Sequence, residues 1–195
     1  MSRRARQLLL PACLLALLAV AGPAQAATQY FVKIPNVPGE SLADHAKDEI
    51  IATSFSWGMS VPVTRAASGG STGKAAFTDF TFQHRVDRAS PLLLRLATLG
   101  QHSRSVKISA FETTSGPAIR YLEYCLEDVI VSKIAVEGTA TLGRPLETVT
   151  LNPGKFEERY TPQSPSGTPL PPVLWGWNIV TASSVGFNNT CGTPG

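Results

Sequence analysis

The stretch Glu49-Ile50-Ile51-Ala52-Thr53-Ser54-Phe55-Ser56-Trp57 decides the fold class. Its side chains alternate: Ile51, Thr53, Phe55 and Trp57 share one face, and Ala52, Ser54 and Ser56 share the other. A period of two is the signature of a half-buried β-strand, because successive Cβ atoms point to opposite sides of a sheet. Working outward, the same pattern recurs. Tyr30 to Ile34 is a short strand ended by Pro35-Asn36 and Pro38-Gly39, and Asp44 to Asp48 is a polar connection. Lys74 to His84 carries Phe77, Phe80 and Phe82, whose odd first step predicts a bulge or a change of register. Val106-Ile108-Ala110 alternates, and Arg120 to Val136 is a long β-rich run with a bend near Glu127-Asp128. Leu146 to Leu151 leads into a turn signal, Asn152-Pro153-Gly154, and then into Phe156-Glu158-Tyr160. Val173 to Val180 supplies a last strand with Trp175 and Trp177. Val61 to Gly73 and Ser164 to Pro172 are expected to be loops, and Asn188 to Gly195 a frayed tail.

One segment has a helical period. Ser90 is the expected N-cap, Pro91 the first helical residue and Gly100 the stop, with Leu92, Leu93, Leu96 and Leu99 on a buried face. Seven to nine strands with one embedded helix describe a mainly β, antiparallel domain that closes as a sandwich or a flattened barrel.

The N-terminus has a different character. Arg3, Arg4 and Arg6 precede an apolar run from Leu8 to Val20, and Ala24-Gln25-Ala26 follows. These are the three parts of a secretory signal peptide, and the run is shorter than the roughly 20 residues that span a bilayer. Cleavage after Ala26 divides the chain into a signal peptide (1–26), a β domain (27–181) and a flexible C-terminal tail (182–195). The product is secreted or periplasmic, with no stable membrane association. Three of the 17 basic residues lie in the leader, so the remaining chain has 14 basic and 14 acidic residues and no net charge. That balance argues against a nucleic-acid partner. Cys125 and Cys191 remain after cleavage, and an oxidising compartment permits them to pair. The alternative is a buried thiol at Cys125 and a free one at Cys191.

Chemical motifs are sparse. Gly69-Gly70-Ser71-Thr72-Gly73 matches G-x-S-x-G, but a nucleophile elbow needs a strand before the serine and a helix after it. His45, His84 and His102 have no metal-ligand spacing, and Glu157-Glu158 point to opposite faces of one strand. We therefore expect no cofactor, no metal and no catalytic residues. The rivals are a secreted hydrolase built on Ser71 or a histidine–carboxylate pair, and a monomeric exported binding module.

In order along the chain, several motifs resemble the Hcp family, the hemolysin-coregulated tube proteins of type VI secretion. They include Phe31-Val32-Lys33-Ile34 with Gly39-Glu40-Ser41, Ser56-Trp57-Gly58-Met59-Ser60, and Asp87 with Ser90-Pro91-Leu92. Tyr121-Leu122-Glu123-Tyr124, Glu147 with Val149-Thr150-Leu151-Asn152, Tyr160 with Pro162-Gln163, and Gly176-Trp177-Asn178-Ile179 complete the set. The resemblance implies a β-barrel of two packed sheets with one flanking α-helix, self-association into homohexameric rings, stacking of rings into a secreted tube, and effector proteins and other secretion-apparatus components as partners. It also implies that Ser56 faces the lumen and that the segment from Ser60 to Gly73 reaches toward a neighbouring ring. A leader sequence departs from the family pattern, in which the contractile machine carries the tube protein out of the cytosol.

Overall fold

A computed structural model describes residues 27–66, 69–113, 116–141, 143–186 and 191. The signal-peptide segment 1–26 lies outside the described residues, as does most of the stretch from Asn188 to Gly195. The described strands are β1 (Ala27–Lys33), β2 (Ile50–Ser56), β3 (Met59–Ser60), β4 (Val63–Ala66), β5 (Gly69–Thr72), β6 (Ala76–Phe77), β7 (Phe80–Arg85), β8 (His102–Thr113), β9 (Ile119–Glu137), β10 (Leu146–Tyr160), β11 (Val173–Asn178) and β12 (Ser183–Val185). One helix, α1 (Ser90–Thr98), lies between β7 and β8. Six strands close an antiparallel barrel in the order β10-β7-β2-β1-β8-β9, with β9 returning to β10, and β11 and β12 extend the sheet beyond β10. Ser183–Val185, within the expected tail, pairs with Gly176 to Asn178 of β11.

The core is the barrel interior. Phe80, Phe82, Phe156, Ile50, Leu126 and Leu151 are fully buried there. Trp57 stacks on Phe80 (centroids 5.1 Å apart, planes 15° apart) and leans on Phe156 at 5.2 Å and Tyr124 at 5.7 Å. Burial pushes the Tyr124 phenol above its ordinary pKa, because the ionised form loses its water.

Several expectations are corrected. In β2 the buried residues are Ile50 and Ala52, and Ile51 and Thr53 are exposed. The pairing of Ala52 with His84 is followed by that of Ser54 with Gln83, which leaves Thr53 as an extra residue. This bulge reverses the parity, so Phe55 and Trp57 beyond it do pack on the core. Val61 to Gly73 is not a loop throughout: β4 and β5 form a two-stranded hairpin. Lys74 to His84 is two strands, β6 and β7, separated by Thr78-Asp79. Asn152-Pro153-Gly154 makes no turn and continues β10. Pro153 lies opposite Val129 of β9. On the other side of β10, pairing with β7 ends at Leu151 and pairing with β11 begins at Lys155.

The helix begins one residue earlier than expected. Ala89 is the N-cap, and its N–H is held by the Asp87 carboxylate at 2.9 Å, while Ser90 is already helical. Leu93 is fully buried and Leu99 is exposed. The stop is as expected: Gly100 has φ 59°, its N–H donates to the Ala97 carbonyl, and the Gln101 N–H donates to that of Leu96. The expected bend of β9 falls at Asp128, where φ is 52°.

The segment between β1 and β2 folds back on the barrel. Gly39 passes so close that a Cβ there would lie 2.4 Å from the backbone of Glu49 and Ile50. Ala46 packs with Phe31 and Phe111, and His45 lies 4.4 Å from the Phe111 ring. Arg144 donates to Glu40 at 2.8 Å and holds that carboxyl below its ordinary pKa.

Candidate functional site, a polar wall with two open edges

Parity builds the site. On β7, Phe80, Phe82 and His84 turn inward, so Thr81 and Gln83 turn outward. On β10, Val149 and Leu151 turn inward, so Thr148 and Thr150 turn outward. The bulge at Thr53 brings Ser54 and Ser56 of β2 to the same outer side. Cross-strand pairing then sets Ser56 beside Thr81 and Thr81 beside Thr150. A second row runs from Ser54 through Gln83 to Thr148. The row is hydrogen-bonded: Ser54 Oγ donates to Gln83 Oε1 at 3.2 Å, and Gln83 Nε2 donates to Thr148 Oγ1 at 3.2 Å. On β9, Lys133 lies opposite Thr150, and Ala135 lies opposite Thr148. The result is a four-stranded wall of hydroxyl and amide groups with one charged residue in these rows, Lys133.

Both lateral edges of this wall are open among the described residues. β1 pairs with β2 only over Tyr30 to Val32, opposite Ala52 to Ile50, so Ser54 to Ser56 have a partner strand on the β7 side alone. β8 pairs with β9 only as far as Ile130, so Val131 to Glu137 have a partner strand on the β10 side alone. Beyond β2 the exposed hairpin of β4 and β5 projects, with Val63 59% exposed.

Ser56 ends β2 and is exposed on the wall. Sequence reading named Ser56 alone and missed the other wall positions, although Thr81-Phe82-Gln83-His84 and Thr148-Val149-Thr150-Leu151 carry a plain period of two. Cys125 and Cys191 are joined in the structure with Cα atoms 5.6 Å apart. Ser71 lies on the exposed hairpin arm β5, opposite Thr64, and a strand rather than a helix follows, so no nucleophile elbow forms. The histidines are dispersed. His84 is fully buried with Nε2 2.7 Å from Glu147 Oε2, and His102 is exposed with Nδ1 2.6 Å from Asp128 Oδ1. Glu157 is buried and Glu158 partly so. Among the described residues no group of three or more His, Cys, Asp or Glu side chains is arranged to hold a metal. None of the described helices is long and apolar enough to cross a membrane.

The family model for "Type VI secretion system effector, Hcp" matches residues 31–160, which run from β1 to the end of β10. The curated Protein hcp1 of Pseudomonas aeruginosa is 32% identical over 155 residues, covering 78% of this chain and 96% of that protein. Among solved structures, one described as a type six secretion system protein superposes with a TM-score of 0.77 at 27% identity, covering 82% of this chain and all of the other. Hcp1 from Salmonella typhimurium gives a TM-score of 0.67 at 27% identity, covering 82% of this chain and 99% of its own. The matched span reaches every barrel strand, β1 in part, and contains the polar wall, and on that basis the chain belongs to the Hcp family of type VI secretion proteins.

Proposed function

We propose that the chain is a non-catalytic building block of a type VI secretion tube. Six copies close into a ring with the wall of β2, β7, β10 and β9 lining the lumen, and rings stack to enclose effector proteins. The observation that carries this reading is the pair of open edges at opposite sides of one four-stranded wall. Unpaired strand edges are avoided in isolated proteins, and head-to-tail closure pairs the β2 edge of each copy with the β9 edge of the next.

The dimensions agree with the reading. Four strands spaced about 4.8 Å apart make a wall about 19 Å wide, and six such walls give a lumen about 37 Å across. A domain of about 100 residues, with a radius of gyration near 13 Å, fits inside. Ser56 then faces the lumen, and the hydroxyl-rich wall, with Lys133 as the one charged residue in its rows, passes cargo without dense ionic retention. The hairpin of β4 and β5, too small to be stable by itself in water, gains a surface by reaching the next ring. The leader directs general export with cleavage after Ala26, giving a secreted or periplasmic product. The leader also favours a second reading, an exported monomeric binding module on the same fold.

One sample decides between them. Light scattering of the exported protein at micromolar concentration is expected to give six times the monomer mass, with an N-terminal sequence starting at Ala27. A strictly monomeric mass across a wide concentration range transfers the assignment to the binding module. Rings built from chains that retain Met1 remove the export step.

A further inference from the structure

The two sulfurs of the disulfide occupy unlike surroundings. Cys125 lies on β9 between Tyr124 and Leu126, whose side chains enter the core, so it points out of the barrel. Its cross-strand neighbours on that outer side are Lys107 of β8 and Glu157 of β10. Cys125 and Glu157 are fully buried, and Lys107, mostly but not fully buried, is ion-paired with Glu49 at 3.0 Å. Cys191, from the far end of the chain, is partly exposed as a residue, and its Sγ lies 3.5 Å from the Val106 carbonyl oxygen.

We infer that this disulfide is a redox latch with a single point of entry, the Cys191 sulfur. A thiolate reaching the protein attacks Cys191, the S–S bond breaks, and Cys125 leaves as the thiolate and takes up a proton. A second small thiol then resolves the mixed disulfide on Cys191. The balance is one protein disulfide and two small thiols giving two protein thiols and one small-molecule disulfide. Access decides which sulfur is attacked.

The latch row lies on β8, the first half of β9 and the second half of β10, none of which contributes a side chain to the polar wall. Opening the latch in a reducing compartment therefore releases residue 191 from the outer surface and leaves the wall intact. The inference concerns the outer face only and stands whether or not rings form.

The test uses oxidised mature protein with millimolar reduced glutathione under native conditions, followed by acid quench and peptide mapping by mass. The expected first product is a glutathione adduct on Cys191 alone. After full opening, a maleimide should label Cys191 about ten-fold or more faster than Cys125, in keeping with the dependence of thiol reactivity on access. Circular dichroism and the mass by light scattering should not change. In the Cys191→Ser variant, the remaining Cys125 thiol should label slowly. An adduct on Cys125, equal labelling of the two thiols, or opening only under conditions that unfold the barrel overturns the inference.

Discussion

Phe156→Ala is expected to destabilise the protein by about 3–5 kcal/mol, the range for truncating a buried aromatic ring. Phe156 is fully buried and its ring lies 5.2 Å from Trp57, 5.4 Å from Phe77, 5.7 Å from Phe80 and 5.9 Å from Trp175. Removing it opens a void among four large, rigid rings, each already fixed by other neighbours. A domain has only about 5–15 kcal/mol of net stability, so the variant should be close to unfolding. Urea unfolding measures the effect as a fall in midpoint at constant slope. A loss below about 1.5 kcal/mol would mean that the cluster collapses onto the gap, contrary to the rigidity argued here.

Glu147→Leu is expected to cost a similar amount, about 3–5 kcal/mol, for an electrostatic reason. His84 and Glu147 are both buried and bonded at 2.7 Å, and Asp87 lies 3.7 Å from the other ring nitrogen. Leucine leaves His84 in the interior without its acceptor. The double replacement His84→Leu with Glu147→Leu removes both partners and should recover most of the loss. A double-mutant cycle reads the coupling. If the two single effects simply add in the double variant, the pair is not the source of the cost.

These residues also show what the sequence made legible. Phe80, Phe82, Val149 and Leu151 sit in strict alternation, so their strands and inward faces follow directly. Gly100 marks the helix stop through its positive φ. The failures have physical causes. Thr53 is a bulge residue, and a bulge is set by the partner strand, so Ile51 and Thr53 were placed on the wrong face. Asn152-Pro153-Gly154 has turn chemistry, but pairing with β9, Asn152 opposite Ile130 and Pro153 opposite Val129, keeps it in the strand. Leu99 has the right spacing for a buried helix face, yet it lies one residue past the helix and is exposed. The wall itself was half visible: the positions alternate, but the open edges depend on where β1 and β8 leave their neighbours, which no local pattern encodes. The approach of Cys191 to Cys125, across a separation of 66 residues, is likewise a tertiary fact.

The long pairing of β9 with β10 has a kinetic consequence. The two strands are joined by residues 138–145 and register from Leu146 opposite Glu137 to Tyr160 opposite Leu122. β1, in contrast, must find β8 across more than 70 intervening residues before the barrel closes. Closing a short loop is cheaper in chain entropy than closing a long one, so the hypothesis is that the β9–β10 hairpin forms the folding nucleus and β1 docks last. Conservative truncations at Val131 or Val149 should then slow folding, and truncation of Val32 should mainly accelerate unfolding. The reverse pattern in chevron kinetics would place nucleation at the barrel seam. Under the expected order, a chain emerging N-terminus first holds β1 without its β8 partner until that strand has followed, although β1 can already pair with β2 nearby.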